Sequence, residues 1–174
     1  MTGGGGGIGG AVVRAFAEAG HRVLAVDREP SPDVFPADLV DASQAAGAAD
    51  AALERFGRLD VVVCAHGGSG RRFGDGPVYE CSEEGWDATL ELNLKSVYLP
   101  DGIRCNVVCP GLIATPMSAR AQEDEAIRAR LGKLQPLTGD FGRPEDVAEA
   151  VLHLATSPFT TGSVLTVDGG WTAR

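Results

Sequence analysis

Two features near the start of the chain have residue types and spacing suited to chemistry. The first is the run Thr2-Gly3-Gly4-Gly5-Gly6-Gly7-Ile8-Gly9, which opens into a segment with an apolar stripe. Glycines there let the backbone come close to a phosphate, and the first amides of a helix present N–H donors to a pyrophosphate. The second is Asp27, at the end of the apolar run Arg22 to Val26. A carboxylate at that place accepts hydrogen bonds from the hydroxyls of an adenosine ribose and repels a 2′-phosphate. Loop, helix, strand and acid in this order point to a dinucleotide, with NAD favoured over NADP. Adjacent Arg28 can instead pair with a 2′-phosphate. Taken alone, the glycine run reads equally well as a flexible tail, and Asp27 as an ordinary strand-end turn residue.

Other chemistry is poorly supported. Cys64, Cys81, Cys105 and Cys109 have no CxxC spacing, and His21, His66 and His153 are scattered, so no metal site is expected. The thiols read as buried and reduced, with Cys105 and Cys109 on one strand face. A net charge of -9 without a run of lysines or arginines argues against a nucleic-acid partner. No apolar stretch approaches the roughly 18 residues that cross a bilayer. Met1 to Gly9 has neither a charged nor an apolar leader region. A soluble, cytoplasmic chain is expected, with neither nucleic acid nor membrane as partner. Its 174 residues, 44% hydrophobic, suit a single domain, 1–174.

The elements that must hold these residues alternate between helix and strand, an α/β pattern. Ile8, Val12, Val13, Phe16 and Ala17 form a helical stripe over about Gly9 to Ala19, stopped by Gly20. Arg22 to Val26 and Leu59 to Cys64 are short apolar runs of the kind buried in parallel sheets. Ala45 to Phe56 reads as a helix ended by Gly57, while Gly67, Gly68 and Gly70 force a loop. A helix starts near Ser82 and runs through Trp86, Leu90 and Leu94 to Leu99, where Pro100 stops it. Ile103 to Cys109 is a strand, Glu123 to Leu134 and Glu145 to Ala155 are helices, and Ser163 to Val167 is a last strand before Asp168-Gly169-Gly170. Pro144 opens the second of those helices.

Thr2, Gly3, Gly7 and Gly9 have the spacing TGxxxGxG, and five further segments follow in order. They are Asp38-Leu39, Asn93 within Asn-Leu-Lys-Ser-Val-Tyr-Leu, Pro110-Gly111-Leu112-Ile113-Ala114-Thr115, Gly142-Arg143-Pro144-Glu145-Asp146 and Val167-Asp168-Gly169-Gly170. Together they cover nearly the whole chain, which thereby resembles the short-chain dehydrogenase/reductase family. The resemblance implies a Rossmann-like doubly wound parallel sheet. It gives cofactor contacts to Gly3, Gly7, Ile8 and Gly9 in the phosphate loop. Asp27, Asp38, Leu39, Ala65, His66 and Gly67 go to the adenosine, and Pro110, Gly111, Ile113 and Thr115 to the nicotinamide. Asn93 matches the family's helix-bending, water-holding asparagine, the only surviving member of its catalytic set.

Three departures qualify this. The family's strand bearing a serine and helix bearing YxxxK belong between the helix of Asn93 and the strand beginning Gly102-Ile103, where this chain has only Pro100, Asp101 and Gly102. A strand and crossover helix need on the order of 30 residues. Hydride transfer to or from a carbonyl needs a group that gives or takes the hydroxyl proton, with something to lower its pKa. The only tyrosines, Tyr79 and Tyr98, have Glu83 and Gly102 four positions on, and Lys95 precedes Tyr98 in the reverse order. Second, Cys64-Ala65-His66-Gly67 stands where the family usually has NNAG; the backbone role survives, and His66 is a candidate replacement proton donor, though a loop histidine facing solvent or cofactor is the plainer reading. Third, the central first strand is expected to be absent, leaving ladder edges on both neighbours.

The resulting expectation is an incomplete member of the fold. By resemblance it is an NAD-dependent oxidoreductase transferring a hydride between nicotinamide and an alcohol or carbonyl substrate. Without the serine and YxxxK, the chain as written is expected to show no turnover and weak or absent NADH binding. The alternative is a non-catalytic relative that acts as a weak nucleotide binder, or as a subunit in a homo- or hetero-oligomer with complete relatives. Met117 to Leu134 resembles the family's variable substrate lid and names no ligand.

Overall fold

The computed structural model describes residues 1–68, 81–90, 92–93 and 103–173. In chain order its elements are α1 (Gly7–Glu18), β1 (Ala25–Asp27), β2 (Val34–Pro36), α2 (Ala42–Phe56), α3 (Glu83–Leu90), β3 (Val107–Pro110), α4 (Ala119–Glu123), α5 (Glu125–Arg128), α6 (Leu131–Leu134), α7 (Pro144–Thr156) and β4 (Val164–Val167). They fall into two compact units. One comprises Met1–Gly5 and Leu24–Asp101, the other Gly6–Val23 and Gly102–Arg174. Gly70, Tyr79, Lys95, Tyr98, the expected helix from Leu94 to Leu99 and the Pro100–Gly102 junction lie outside the described residues. No helix among the described residues is long and apolar enough to cross a membrane.

In the first unit, β1 and β2 are parallel, with Ala25 opposite Val34 and Asp27 opposite Pro36. Val26, Ala37 and Ala48 form the buried core, and Leu24, Phe35 and Leu39 pack against it. The sequence reading passed over β2, because three residues among turn formers show no periodicity. Helix α2 begins three residues earlier than expected, because Asp41 caps it. The Asp41 carboxylate accepts from the amides of Ser43 at 2.8 Å and Gln44 at 3.3 Å. These bonds, with those from the two side chains, hold the carboxyl at about 2. Gly57, at φ +77°, ends the helix as expected.

As expected, no strand precedes α1 among the described residues, but the residues before the loop are not free of the ladder. Thr2 makes isolated bridges, and Met1 a backbone hydrogen bond, to the chain on either side. Thr2 bridges in parallel to Val26 on one side and Cys64 on the other. Its amide donates to Val63 O at 2.9 Å and its carbonyl accepts from Ala65 at 3.1 Å, while Met1 O accepts from Val26 at 2.8 Å. The run Leu59 to Cys64 was read as a buried strand. Instead Leu59, Val61 and Val62 are 47%, 37% and 51% exposed, and only Cys64 is in a ladder. These side chains are only partly covered, so burial does not follow from their apolar character.

In the second unit α1 packs on α7, and the buried hydrophobic residues of the two helices are Ala11, Val12 and Phe16 with Val147, Ala148 and Leu154. Gly20, at φ +85°, stops α1 as expected; Ala17, read as part of the apolar stripe, is exposed, and Ala11 takes its place. Strands β3 and β4 are parallel, Val107 opposite Val164 and Pro110 opposite Val167. Both are shorter than expected. Arg104 precedes β3 and donates to the carbonyls of Leu154, Ala155 and Thr160, closing the C-terminus of α7. At the other end Arg143 N donates to Asp146 Oδ2 at 2.8 Å, just before Pro144 opens the helix.

Two further expectations are overturned. The helix read over Glu123 to Leu134 is broken: α4 ends at Glu123, and two short pieces, α5 and α6, follow. Asp124 takes an extended conformation, and its carboxylate caps α5 through the amides of Ala126 and Ile127. An acid able to serve as N-cap breaks the run there. The thiols are not buried: Cys64, Cys105 and Cys109 are exposed and Cys81 is half-buried. Cys105 lies outside β3, whose partner among the described residues is β4 alone.

Candidate functional site

The glycine loop enters the first unit through Thr2 and Gly3. Gly3 has φ +67°, and a Cβ there would lie 2.5 Å from Ala65 O and 2.6 Å from His66 N. Both the conformation and the passing backbone therefore require glycine. Gly4 donates to Val26 O at 3.0 Å, and Gly5 donates to Asp27 Oδ2 at 3.1 Å. Asp27 is thus brought beside the loop, as expected of an acid ending the strand after it. Its other oxygen accepts from Glu29 N at 3.4 Å. Arg28 is exposed and lies 3.8 Å from the Glu29 carboxylate.

His66 is half-buried. Its Nδ1 is 2.6 Å from Thr2 Oγ1, and that hydroxyl is also 3.3 Å from Val63 O. One proton arrangement serves all three groups: the imidazole donates from Nδ1 to Thr2, which donates on to Val63. Partial burial pushes the imidazolium pKa below 6.5, and the Asp27 charge acts the other way. Sequence reasoning did not find this bond, since residues 2 and 66 meet only through the ladder.

Asp38 and Leu39 are placed beside β2. Asp38 N donates to Gln44 Oε1 at 2.9 Å, and its carboxylate accepts from Val40 N at 3.1 Å. Helix α3 is followed by a wider, π-type turn at Leu92 and Asn93. Asn93 Oδ1 accepts from Gly68 N at 3.1 Å, while Nδ2 donates to Gly68 O at 3.1 Å and Thr89 O at 2.8 Å. A Cβ on Gly67 would lie 2.6 Å from Asn93 Oδ1. The asparagine therefore fastens its helix to the Ala65-His66-Gly67 loop.

In the second unit, Gly7, Ile8 and Gly9 form the first turn of α1. Its N-cap, Gly6, offers no side-chain hydrogen bond to the opening amides. Such an end is suited to an anion. A Cβ on Gly7 would meet Cβ and Cγ2 of Thr115 at 2.8 Å each. The segment from Pro110 to Thr115 is held from several sides. Gly111 N donates to Val167 O at 3.0 Å; Ile113 is buried and bridges Gly142 in parallel; Ala114 N donates to Gly142 O at 2.8 Å. Ser118 Oγ donates to Ile113 O at 2.6 Å and accepts from Thr115 N at 3.0 Å. Leu112 is held through both its peptide groups by Gln135, which the sequence did not bring to notice. A glutamine before Pro136 and Leu137 carries no motif signal.

A family model described as Enoyl-(Acyl carrier protein) reductase matches residues 4–100 and 97–172. The chain belongs to the short-chain dehydrogenase/reductase family. The family match comes as two segments that overlap at 97–100, where the Ser and YxxxK unit was expected and not found. Cis-4-hydroxycyclohexanecarboxylate dehydrogenase of Sinomonas cyclohexanicum is 28% identical over 218 positions, covering 93% of this chain and 82% of the relative. That alignment is longer than the 174 residues available, so part of the relative is unmatched within it. Carbonyl reductase family member 4 of Xenopus laevis is 45% identical over 93 residues, which is 53% of this chain and 36% of the relative. Among solved structures, a short-chain type dehydrogenase/reductase from Mycobacterium ulcerans superposes with a TM-score of 0.85 at 25% identity, covering 99% of this chain and 88% of that one. The fold is the family's Rossmann-like parallel architecture in incomplete form.

Proposed function

We propose that the chain is the dinucleotide-holding framework of an NAD-dependent oxidoreductase acting on an alcohol or carbonyl substrate, and that these 174 residues by themselves do not transfer hydride. The observation that carries the cofactor reading is Asp27 hydrogen-bonded to Gly5 of the glycine loop at 3.1 Å. A carboxylate there suits ribose hydroxyls and opposes a 2′-phosphate. Arg28, the competing feature, is turned to Glu29. Solved neighbours of the same fold include 4-hydroxyisoleucine dehydrogenase complexed with NADH (20% identical, TM-score 0.81) and ElxO with NADP bound (21% identical, TM-score 0.80). A nicotinamide dinucleotide suits the fold in either form, and Asp27 is the argument for NAD.

The residues present fit such a group. Gly3 and Gly7 are places a Cβ would fill, and the first turn of α1 has no side-chain cap. On this reading Asp27, Asp38, Leu39, Ala65, His66 and Gly67 serve the adenosine; Gly3, Gly7, Ile8 and Gly9 the pyrophosphate; Pro110, Gly111, Ile113 and Thr115 the nicotinamide. Bound NAD would supply the hydride acceptor. What the chain does not supply is the acid–base pair, since no YxxxK occurs in it. Asn93, of the family's catalytic set, is spent on Gly68 and Thr89.

On this reading the chain is one dinucleotide-binding domain made of the two units, works in the cytoplasm, and pairs with copies or complete relatives. The two-segment family match favours a second reading of the same chain, as a non-catalytic subunit of such a pair. Titrations of NADH and NADPH test the cofactor, and an assay of absorbance at the reduced-nicotinamide band over secondary alcohols and ketones tests turnover. NADH binding tighter than NADPH by about tenfold, with no turnover, is expected. Turnover abolished by mutating His66 or Tyr98 would refute the second half.

A further inference from the structure

We infer that Gln135 is the positioning residue for the Pro110–Thr115 segment, the wall given above to the nicotinamide. This rests on that cofactor reading. Gln135 is 2% exposed and is the buried polar side chain among the described residues. An amide is placed in a core at a cost unless its donors and acceptor are all used. Here they are used on one strip of backbone. Oε1 accepts from Leu112 N; Nε2 donates to Leu112 O at 3.3 Å and to Asp140 O at 2.8 Å. The side chain thus treats Leu112 as an adjacent strand would, taking its N–H and giving to its carbonyl.

The surroundings are cut to this side chain. A Cβ on Gly111 would lie 2.5 Å from Gln135 Oε1, and one on Gly169 would lie 3.0 Å from Gln135 Cβ. Asp140, the second acceptor, leads to Gly142, whose amide donates to Leu112 O at 2.9 Å and whose carbonyl accepts from Ala114 at 2.8 Å. Gln135 therefore joins both sides of the Ile113–Gly142 bridge. It is itself fixed at the end of α6, its amide donating to Leu131 O at 2.7 Å, with Leu131 only 1% exposed. An apolar residue of the same length fills the volume and leaves Leu112 N–H without its acceptor. The segment then keeps its bonds to Val167, Gly142 and Ser118 but loses the side chain that fixes both peptide groups of Leu112, next to Ile113.

The test compares NADH with ADP-ribose, which lacks the nicotinamide, on the full chain and on Gln135→Met. The ratio of the two affinities isolates the nicotinamide wall. Gln135→Met is expected to lower that ratio by about tenfold while ADP-ribose binding stays within about twofold, since one buried hydrogen-bond set is lost. Gln135→Glu keeps the acceptor for Leu112 N–H and loses both donations. It carries the test if the methionine variant does not fold, with the same direction expected. An unchanged ratio in the folded variants, or equal weakening of both ligands, overturns the inference and leaves the cofactor reading standing. A native chain that binds neither ligand overturns the cofactor reading and this inference with it.

Discussion

Gly7 and Thr115 stand so close that a single methyl group on Gly7 would overlap Thr115 Cβ and Cγ2, each 2.8 Å away. The glycine is required by this contact rather than by its backbone, since it is not among the positive-φ glycines. It sets the first turn of α1 directly against the segment read as the nicotinamide wall.

Gly7→Ala is therefore expected to destabilise the chain by about 1–3 kcal/mol, the usual cost of overpacking. NADH affinity should fall more than stability alone accounts for, because the added methyl pushes Thr115 away. Gly20→Ala is the control: nothing lies within 4 Å of a Cβ there, so only its φ of +85° is strained. Thermal melts with NADH titrations of both variants separate the two effects.

Asp27→Ala removes the carboxylate proposed to accept from the ribose and frees Gly5 N. NADH binding should weaken about tenfold, as for loss of hydrogen bonds to a charged group, while NADPH binding holds or improves. The ratio of the two dissociation constants is the readout, and a ratio unmoved by the substitution would remove Asp27 from the site.

His66 gives a pH dependence of known sign. Its folded pKa lies below 6.5 because partial burial disfavours the imidazolium, with Asp27 opposing. The unfolded chain then binds more protons than the folded one in this range, so stability rises with pH. The contribution is complete above 6.5 and is lost as pH falls below it through the folded pKa. Urea midpoints followed downward through this range should decline less steeply in His66→Gln than in the native chain.

Asp41 acts in a more acidic window. Its carboxyl is held at about 2 by the caps of Ser43 and Gln44, against an ordinary 3.8. The stabilisation is present above 3.8 and disappears as pH falls through about 2. Asp41→Ala should lower helical circular dichroism and melting temperature at neutral pH and flatten their change over this acidic window.

The parts of this structure legible in the sequence were those set by local chemistry. Gly20 and Gly57 stop helices at positive φ, Pro144 opens α7, and Asp27 ends β1 beside the loop. Each is a backbone preference of one residue or its neighbours. The misses depend on what lies across space. Val61 and Val62 have the composition of a buried strand, but burial needs a covering layer that no local pattern reports. The isolated bridges of Thr2 rest on Val26 and Cys64, which are distant in sequence. Asp124 was legible as a cap only once the run around it was seen to break. Gln135 was silent because its partners are backbone groups of Leu112 and Asp140, which any residues there would supply.

The backbone bonds of Met1 and Thr2 alter the expectation for the cofactor. A glycine loop without ladder support would hold a pyrophosphate poorly, but Thr2 is tied to both neighbours, and Gly4 to Val26. The most direct measurement is a calorimetric titration of NADH into the 174-residue chain. The account predicts saturable binding with a dissociation constant on the order of micromolar. A titration that shows no saturable heat up to about a millimolar, about three orders of magnitude weaker, would contradict it.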